Sequence, residues 1–217
     1  MQQAQALAEA PILNARAPRV REMGRVEYET AWRAMQAFTS GRTADTADEI
    51  WVLEHPPVYT LGVAGRSQHL PRIENGIPVV RTDRGGQITY HGPGQAVAYV
   101  LLDMKRRAIS VRPLVRRLEQ AVIDLLEQYG IAAAGRVDAP GVYVGEAKIA
   151  ALGLRITRGC CYHGLALNVD MDLSPFHAID PCGYPGLAVT QLRDLGVTES
   201  VETVADKLAV SLVKVLA

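Results

Sequence analysis

The chain has 217 residues, of which 48% are hydrophobic and 21% charged, with 19 Gly and 12 Pro. Composition and length suit one globular domain and exclude a disordered, collagenous or low-complexity protein. The 23 basic and 23 acidic residues cancel, so there is no overall cationic field for nucleic acid. No apolar run nears the roughly 20 residues that span a bilayer, and the N-terminus shows no secretory signal.

Residues 1–20, rich in Ala, Gln, Arg and Pro, read as a flexible leader, leaving 21–217 as a single domain. Tyr28, Trp32, Met35 and Thr39 recur near helical spacing, with Gly41 as a stop, and predict a first helix. Short β-branched runs at 50–53, 58–61, 79–82 and 96–102, bounded by Pro or Gly, read as strands. Leu114, Leu118, Ala121, Val122, Leu125, Leu126 and Tyr129 mark a second helix, with Ser110 as N-cap, Pro113 in its first turn and Gly130 as C-cap. Residues 141–144 and 149–156 read as a hairpin. Leu165, Leu167 and Val169 alternate as in a half-buried strand. Val201, Val204, Leu208 and Leu212 form the stripe of a third helix. Strands cluster and helices do not alternate with them, which predicts an α+β domain: a mixed or antiparallel sheet flanked by helices.

The cysteines are Cys160, Cys161 and Cys182. An odd count with two adjacent does not suit a disulfide framework, and no Cys or His spacing fits a metal site. A reduced, cytoplasmic protein with free thiols is expected.

Three stretches concentrate chemistry. Arg84-Gly85-Gly86-Gln87-Ile88-Thr89-Tyr90-His91-Gly92-Pro93-Gly94-Gln95 holds four glycines and a proline in twelve residues. Gly85 and Gly86 let backbone N–H groups approach a ligand closely, but the stretch fits neither the dinucleotide fingerprint nor the P-loop. A structural bend around a satisfied histidine would use the same residues. Lys148-Ile149-Ala150-Ala151-Leu152-Gly153 puts a lysine at the start of an apolar strand, where a snorkelling surface lysine is common. Tyr162-His163-Gly164-Leu165-Ala166-Leu167-Asn168 is followed by Pro181-Cys182-Gly183. A thiol between Pro and Gly on a loop is more exposed than one in a strand, whereas Cys160 and Cys161 read as inert small hydrophobes or simple surface residues.

Together, in this order and spacing, these motifs resemble the lipoyl(octanoyl) transferases, relatives of the lipoate and biotin protein ligases. The likeness runs from about residue 50 to residue 192. It implies a biotin/lipoate ligase-like fold, and transfer of an octanoyl group from octanoyl-acyl carrier protein to a lysine of a lipoyl domain, the first step of protein lipoylation. Acceptors would be the lipoyl domains of 2-oxoacid dehydrogenase complexes and the glycine cleavage H protein. The resemblance further implies Cys182 as nucleophile and thioester carrier, and Lys148 as the group that lowers its pKa and moves protons. Arg84 to His91, Ala151, Leu152, Gly153, Gly164, Leu165 and Ala166 would contact the substrate.

Elementary chemistry agrees. A thioester donor is already activated, so no ATP and no cofactor are needed. Lowering a thiol from ~8.5 by ~2 units takes about 2.7 kcal/mol. A cation ~4 Å away supplies on the order of 4 kcal/mol at an effective dielectric of ~20. Leu152 and Leu165 offer apolar walls, and nearby N–H groups an oxyanion site. His91 and His163 are either supporting polar groups or structural. Lys105, Arg106, Arg107, Arg112, Arg116 and Arg117 fall within thirteen residues that contain no acid; they form a solvated basic face or a docking surface for an acidic carrier. An ATP-dependent lipoate or biotin ligase is the nearest alternative, and Cys182 argues against it. A cysteine thioester hydrolase and a non-enzymatic acyl-binding module are further alternatives. The neutral composition suggests a monomer.

Overall fold

The computed structural model describes residues 17–66, 69–72, 75–181 and 186–217. The elements, in chain order, are β1 (Arg19–Arg25), α1 (Tyr28–Ser40), β2 (Glu49–Glu54), β3 (Val58–Leu61), β4 (Val79–Arg81), β5 (Ile88–His91) and β6 (Gln95–Asp103). They continue with α2 (Val111–Gln128), β7 (Ala134–Gly135), β8 (Gly141–Val144), β9 (Ala147–Thr157), β10 (Cys160–Asn168) and α3 (Val201–Leu216).

The expected mixed sheet is present. Seven strands lie in the order β1-β2-β6-β10-β9-β8-β7, with β1 parallel to β2 and the other pairs antiparallel. A smaller sheet, β4-β3-β5, joins a parallel to an antiparallel pair. Alternation along β6 sorts its side chains between two cores. Ala96, Ala98, Val100 and Leu102 face α2 and α3, meeting Leu118, Val122, Leu125, Leu208 and Leu212. Val97, Tyr99 and Leu101 face the opposite way, against Ala31 and Met35 of α1. A third cluster, including Tyr59, Leu61, Tyr90 and Phe176, fills the small sheet. Among the described residues no helix is long and apolar enough to cross a membrane.

Several boundaries differ from expectation. β1 takes up Arg19 and Val20 from the stretch read as leader; residues 1–16 lie outside the described residues. Ser110 occupies the N-cap position of α2 as expected, with no capping hydrogen bond from its side chain, but the C-cap is Tyr129, and Gly130 follows it in the left-handed region at φ 72°. β5 forms inside the glycine-rich stretch, its four residues all buried against β3.

The basic stretch is in part structural. Arg106 and Arg107 both bond to Asp48, and Arg107 is only 2% exposed. Arg107 also donates to the Leu216 carbonyl, and Arg117 to the Val215 carbonyl at 3.2 Å. These three arginines tie the region before β2 and the start of α2 to the end of α3. Lys105, Arg112 and Arg116 remain exposed.

Candidate active site

Lys148 is 3% exposed, not a snorkelling surface lysine. The tight β8–β9 hairpin sets it behind Pro140. Its Nζ donates to the Pro140 carbonyl at 3.2 Å and lies 5.1 Å from the Tyr143 ring centroid. Gly141 makes the room: its φ is 145°, and a Cβ there would stand 2.9 Å from Lys148 Cε. The Lys148 backbone is held as well, its N–H donating to Ala188 O at 2.8 Å and its carbonyl accepting from Thr190 N–H at 3.0 Å. Cys182 and Gly183 lie outside the described residues.

A cleft of about 350 Å³ opens beside Lys148, walled by Gly85, Gly86, Gln87, Leu152 and Gly153, with Val111, Val115 and Ile156 among its other lining residues. It shares Gly86, Gln87, Leu152 and Gly153 with a narrower cavity of about 50 Å³, which reaches inward to Tyr28, His91, Tyr99 and His163. Arg84, Ile88, Thr89, Ala151, Gly164, Leu165 and Ala166 also line the inner cavity. Of the anticipated substrate residues, Gly85 reaches only the outer cleft. Tyr90 turns away, packing on Tyr59 and Phe176 in the small sheet.

Two devices shape the inner cavity. Gly153 and Gly164 are partners across β9 and β10; a Cβ would come 3.1 Å from Gly85 O at the first and 2.1 Å from Ala98 O at the second. Arg84 staples the glycine-rich bend, donating to Thr60 O at 2.6 Å, Gly85 O at 2.9 Å and Gln87 O at 2.9 Å. That ties the bend to β3 through three carbonyls, of which Gln87 O also accepts from Gly62 N–H at 3.1 Å.

The inner end is polar in composition, yet its imidazoles carry no charge. His91 Nδ1 donates to Gln95 Oε1 at 2.7 Å. His55 Nδ1 donates to Val26 O at 2.6 Å, and its Nε2 accepts from Tyr99 at 2.7 Å. His163 Nε2 donates to Asp83 at 3.1 Å. Burial pushes His91 down to about 3 and His55 to about 4. Burial also lowers His163, outweighing the pull of Asp83 in the other direction. All three imidazoles are therefore neutral near pH 7. Burial would raise the Asp83 carboxyl, but hydrogen bonds from His163, Tyr162 and Trp32 outweigh it and hold it well below the carboxylate range. With the Arg84 guanidinium turned onto backbone carbonyls, a wall of uncharged imidazoles and tyrosines suits an apolar chain better than a charged ligand.

Sequence reasoning missed Tyr28, His55, Asp83 and Tyr99 as cavity or wall residues. Tyr28 carried only a helical signal, and Asp83, though adjacent to the Arg84 motif, belongs to no recognisable spacing. Among the described residues no group of three or more His, Cys, Asp or Glu is placed to hold a metal ion.

A family model described as the lipoyl protein ligase A/B catalytic domain matches residues 27–213. The chain belongs to that family. An octanoyltransferase of Thiobacillus denitrificans is 68% identical over 183 residues, 84% of each chain. A bi-partite lipoate protein ligase of Thermoplasma acidophilum superposes with a TM-score of 0.70 at 19% identity, over 92% of this chain and 83% of that one. A biotin protein ligase of Aquifex aeolicus gives 0.59 at 14% identity, over 91% and 70%. The solved structures establish the lipoate/biotin ligase fold. The family and its octanoyltransferase relatives make this chain an enzyme, an acyltransferase.

Proposed function

We propose that the enzyme moves an octanoyl group from octanoyl-acyl carrier protein to a lysine of a lipoyl domain, in the cytoplasm and without ATP, through a thioester on Cys182. The observation that carries this reading is that the cleft at buried Lys148 and the inner cavity share Gly86, Gln87, Leu152 and Gly153 in their walls. The first can hold a reacting carbonyl and the second its alkyl tail. The relatives named octanoyltransferase support the choice of acyl group.

In the first half-reaction the Cys182 thiolate attacks the thioester carbonyl. The new S–C bond forms, the pantetheine C–S bond breaks, and the departing thiol takes a proton from Lys148. In the second, the acceptor amine attacks the enzyme thioester, gives its proton to Lys148, and releases Cys182 as thiolate. Lys148 ends as ammonium, ready for the next cycle. The other thiols are unsuited to the task. Burial pushes Cys161 up to about 12, and burial raises Cys160 too.

The test is peptide mass analysis after incubation with octanoyl-acyl carrier protein and no ATP. The expected result is an octanoyl adduct on the Cys182 peptide, discharged by added lipoyl domain. An adduct on Cys160 or Cys161, or transfer that requires ATP, overturns the reading.

A further inference from the structure

Two amides in the sequence motifs, Gln95 and Asn168, have no role in the chemistry above. Both are buried, at 2% and 5% exposure. They are bonded to each other: Gln95 Nε2 donates to Asn168 Oδ1 at 2.9 Å. Asn168 Nδ2 then donates to Thr190 O at 2.9 Å, and Thr190 N–H donates to Lys148 O at 3.0 Å. In the other direction Gln95 Oε1 accepts from His91 Nδ1, whose Nε2 lies 3.4 Å from Thr60 Oγ1. That hydroxyl in turn accepts from Arg84 Nη2 at 2.8 Å.

Only one assignment of both amides and the imidazole satisfies every contact, and it runs donor to acceptor in one sense from Arg84 to the Thr190 carbonyl; the Thr190 N–H, on the preceding peptide group, holds the Lys148 carbonyl. A buried chain of one polarity strengthens each of its members and leaves a costly orphan wherever it is cut. One end, Arg84 and His91, lines the inner cavity. The other end is the backbone of Thr190, whose N–H holds the Lys148 carbonyl.

The segment in between needs such a hold. It meets Lys148 through a single isolated bridge, Lys148 to Val189. Asn168 grips it twice, by the side chain at Thr190 and by its carbonyl at Leu192 N–H, 3.1 Å. We infer that Gln95 and Asn168 are positioning residues that fix Lys148 relative to the acyl cavity through the Thr190 segment. The inference rests on the reading of Lys148 as the group that activates Cys182.

The experiment compares peptide-resolved alkylation of Cys182 against pH, together with kcat and KM for octanoyl transfer, in wild type, Lys148→Ala, Asn168→Leu and Gln95→Met. Leucine and methionine keep side-chain size and remove the hydrogen bonds; having both guards against one failing to fold. The expected result for the folded amide variants is an alkylation midpoint raised toward that of Lys148→Ala. With it, kcat falls by roughly 10- to 100-fold, as for a misplacement of about 1 Å, while KM changes by less than about threefold. Asn168→Gln, which can restore both bonds at altered reach, should recover part of kcat. If Lys148→Ala itself keeps the wild-type midpoint, the reading of Lys148 fails and the inference with it. If Lys148→Ala raises the midpoint but folded Asn168→Leu or Gln95→Met does not, the inference alone is overturned; a change confined to KM overturns it equally.

Discussion

Tyr162 and His163 are consecutive residues of β10, yet their rings stack 29° apart in plane with centroids 5.1 Å apart, and both side chains bond to Asp83. Neighbours in a strand normally point to opposite faces. The φ of 64° at His163 breaks that alternation and brings its ring to the inner cavity. A non-glycine residue in the left-handed region costs on the order of 1–2 kcal/mol and persists only where its surroundings over-determine it. Here they do: Asp83 also receives Trp32 at 2.8 Å and Gln36 at 3.3 Å. Asp83→Ala should therefore destabilise the fold by about 2–3 kcal/mol, the cost of orphaning buried polar partners of a charged group. Urea midpoints measure it; an unchanged midpoint would mean that water replaces the carboxylate.

The three buried histidines set an acid limit. His55, His91 and His163 all have folded-state values below the ordinary one, so the unfolded chain binds protons that the folded chain refuses. Their stabilising contribution is intact above the unfolded value of about 6.5 and is lost as pH falls below it. The loss approaches about 1.4 kcal/mol per pH unit for His55 and for His91, until their folded-state values near 4 and 3 are reached, and His163 adds in the same direction. Asp83 adds a loss of its own only below the ordinary carboxylate range, at about 4. The midpoint of urea unfolding should thus drop steeply between about pH 6.5 and about pH 4.5. A flat profile across that window would contradict the neutral wall.

What the sequence made legible follows from where its signals are local. The stripe from Leu114 to Leu126 and the one from Val201 to Leu212 are periodic over several turns, so α2 and α3 fall where expected. The hairpin around Gly145 and Glu146 announces itself by turn chemistry. β5 does not: four residues between glycines gain their strand conformation from pairing with β3, which no local pattern reports. The burial of Lys148 is likewise a tertiary fact, made by Gly141 and the Thr190 segment rather than by its own neighbours. His163 illustrates the limit most clearly, because alternation predicts the wrong face for it and a single dihedral angle corrects the error. The glycine-rich, Lys148 and His163 motifs are each visible as strings, and only the resemblance brings them to one substrate; in the structure the cleft at Lys148 and the cavity at His163 meet at Gly86, Gln87, Leu152 and Gly153.

The basic stretch now divides into two kinds of residue with different expected phenotypes. Arg107 and Asp48 form a pair in which both side chains are almost fully buried. Arg107→Ala leaves Asp48 with Arg42 and Arg106 as partners but removes its bond to Asp48 Oδ2 and orphans the Leu216 carbonyl, and should cost about 1–3 kcal/mol of stability. Arg112 and Arg116 are exposed at the start of α2, the helix that gives Val111 and Val115 to the Lys148 cleft. Reversing both to Glu should leave the urea midpoint within about 0.5 kcal/mol, as for ordinary surface changes. It should raise KM for an acidic carrier-bound substrate at low salt, with the difference closing as salt screens it. Steady-state kinetics at two ionic strengths decide the point, and an unchanged KM at low salt removes these arginines from docking.

The neck between cleft and inner cavity offers the sharpest test of where an acyl chain lies. Gly153 belongs to both, and a methyl group on it would stand 3.1 Å from Gly85 O and 3.2 Å from Arg84 Cδ. Its φ is not in the left-handed region, so alanine is tolerated by the backbone conformation and acts by pressing on the glycine-rich bend that lines both spaces. A chain threading the neck loses contacts or forces the Arg84 staple outward, while an acyl group short enough to stop before it is spared. One methylene in an apolar pocket is worth about 1–3 kcal/mol, or roughly 10- to 200-fold in kcat/KM. Gly153→Ala should accordingly depress kcat/KM for octanoyl transfer by at least about tenfold and for butanoyl transfer by much less, with the fold retained in circular dichroism. Equal depression of both chain lengths would show that the tail does not run past Gly153.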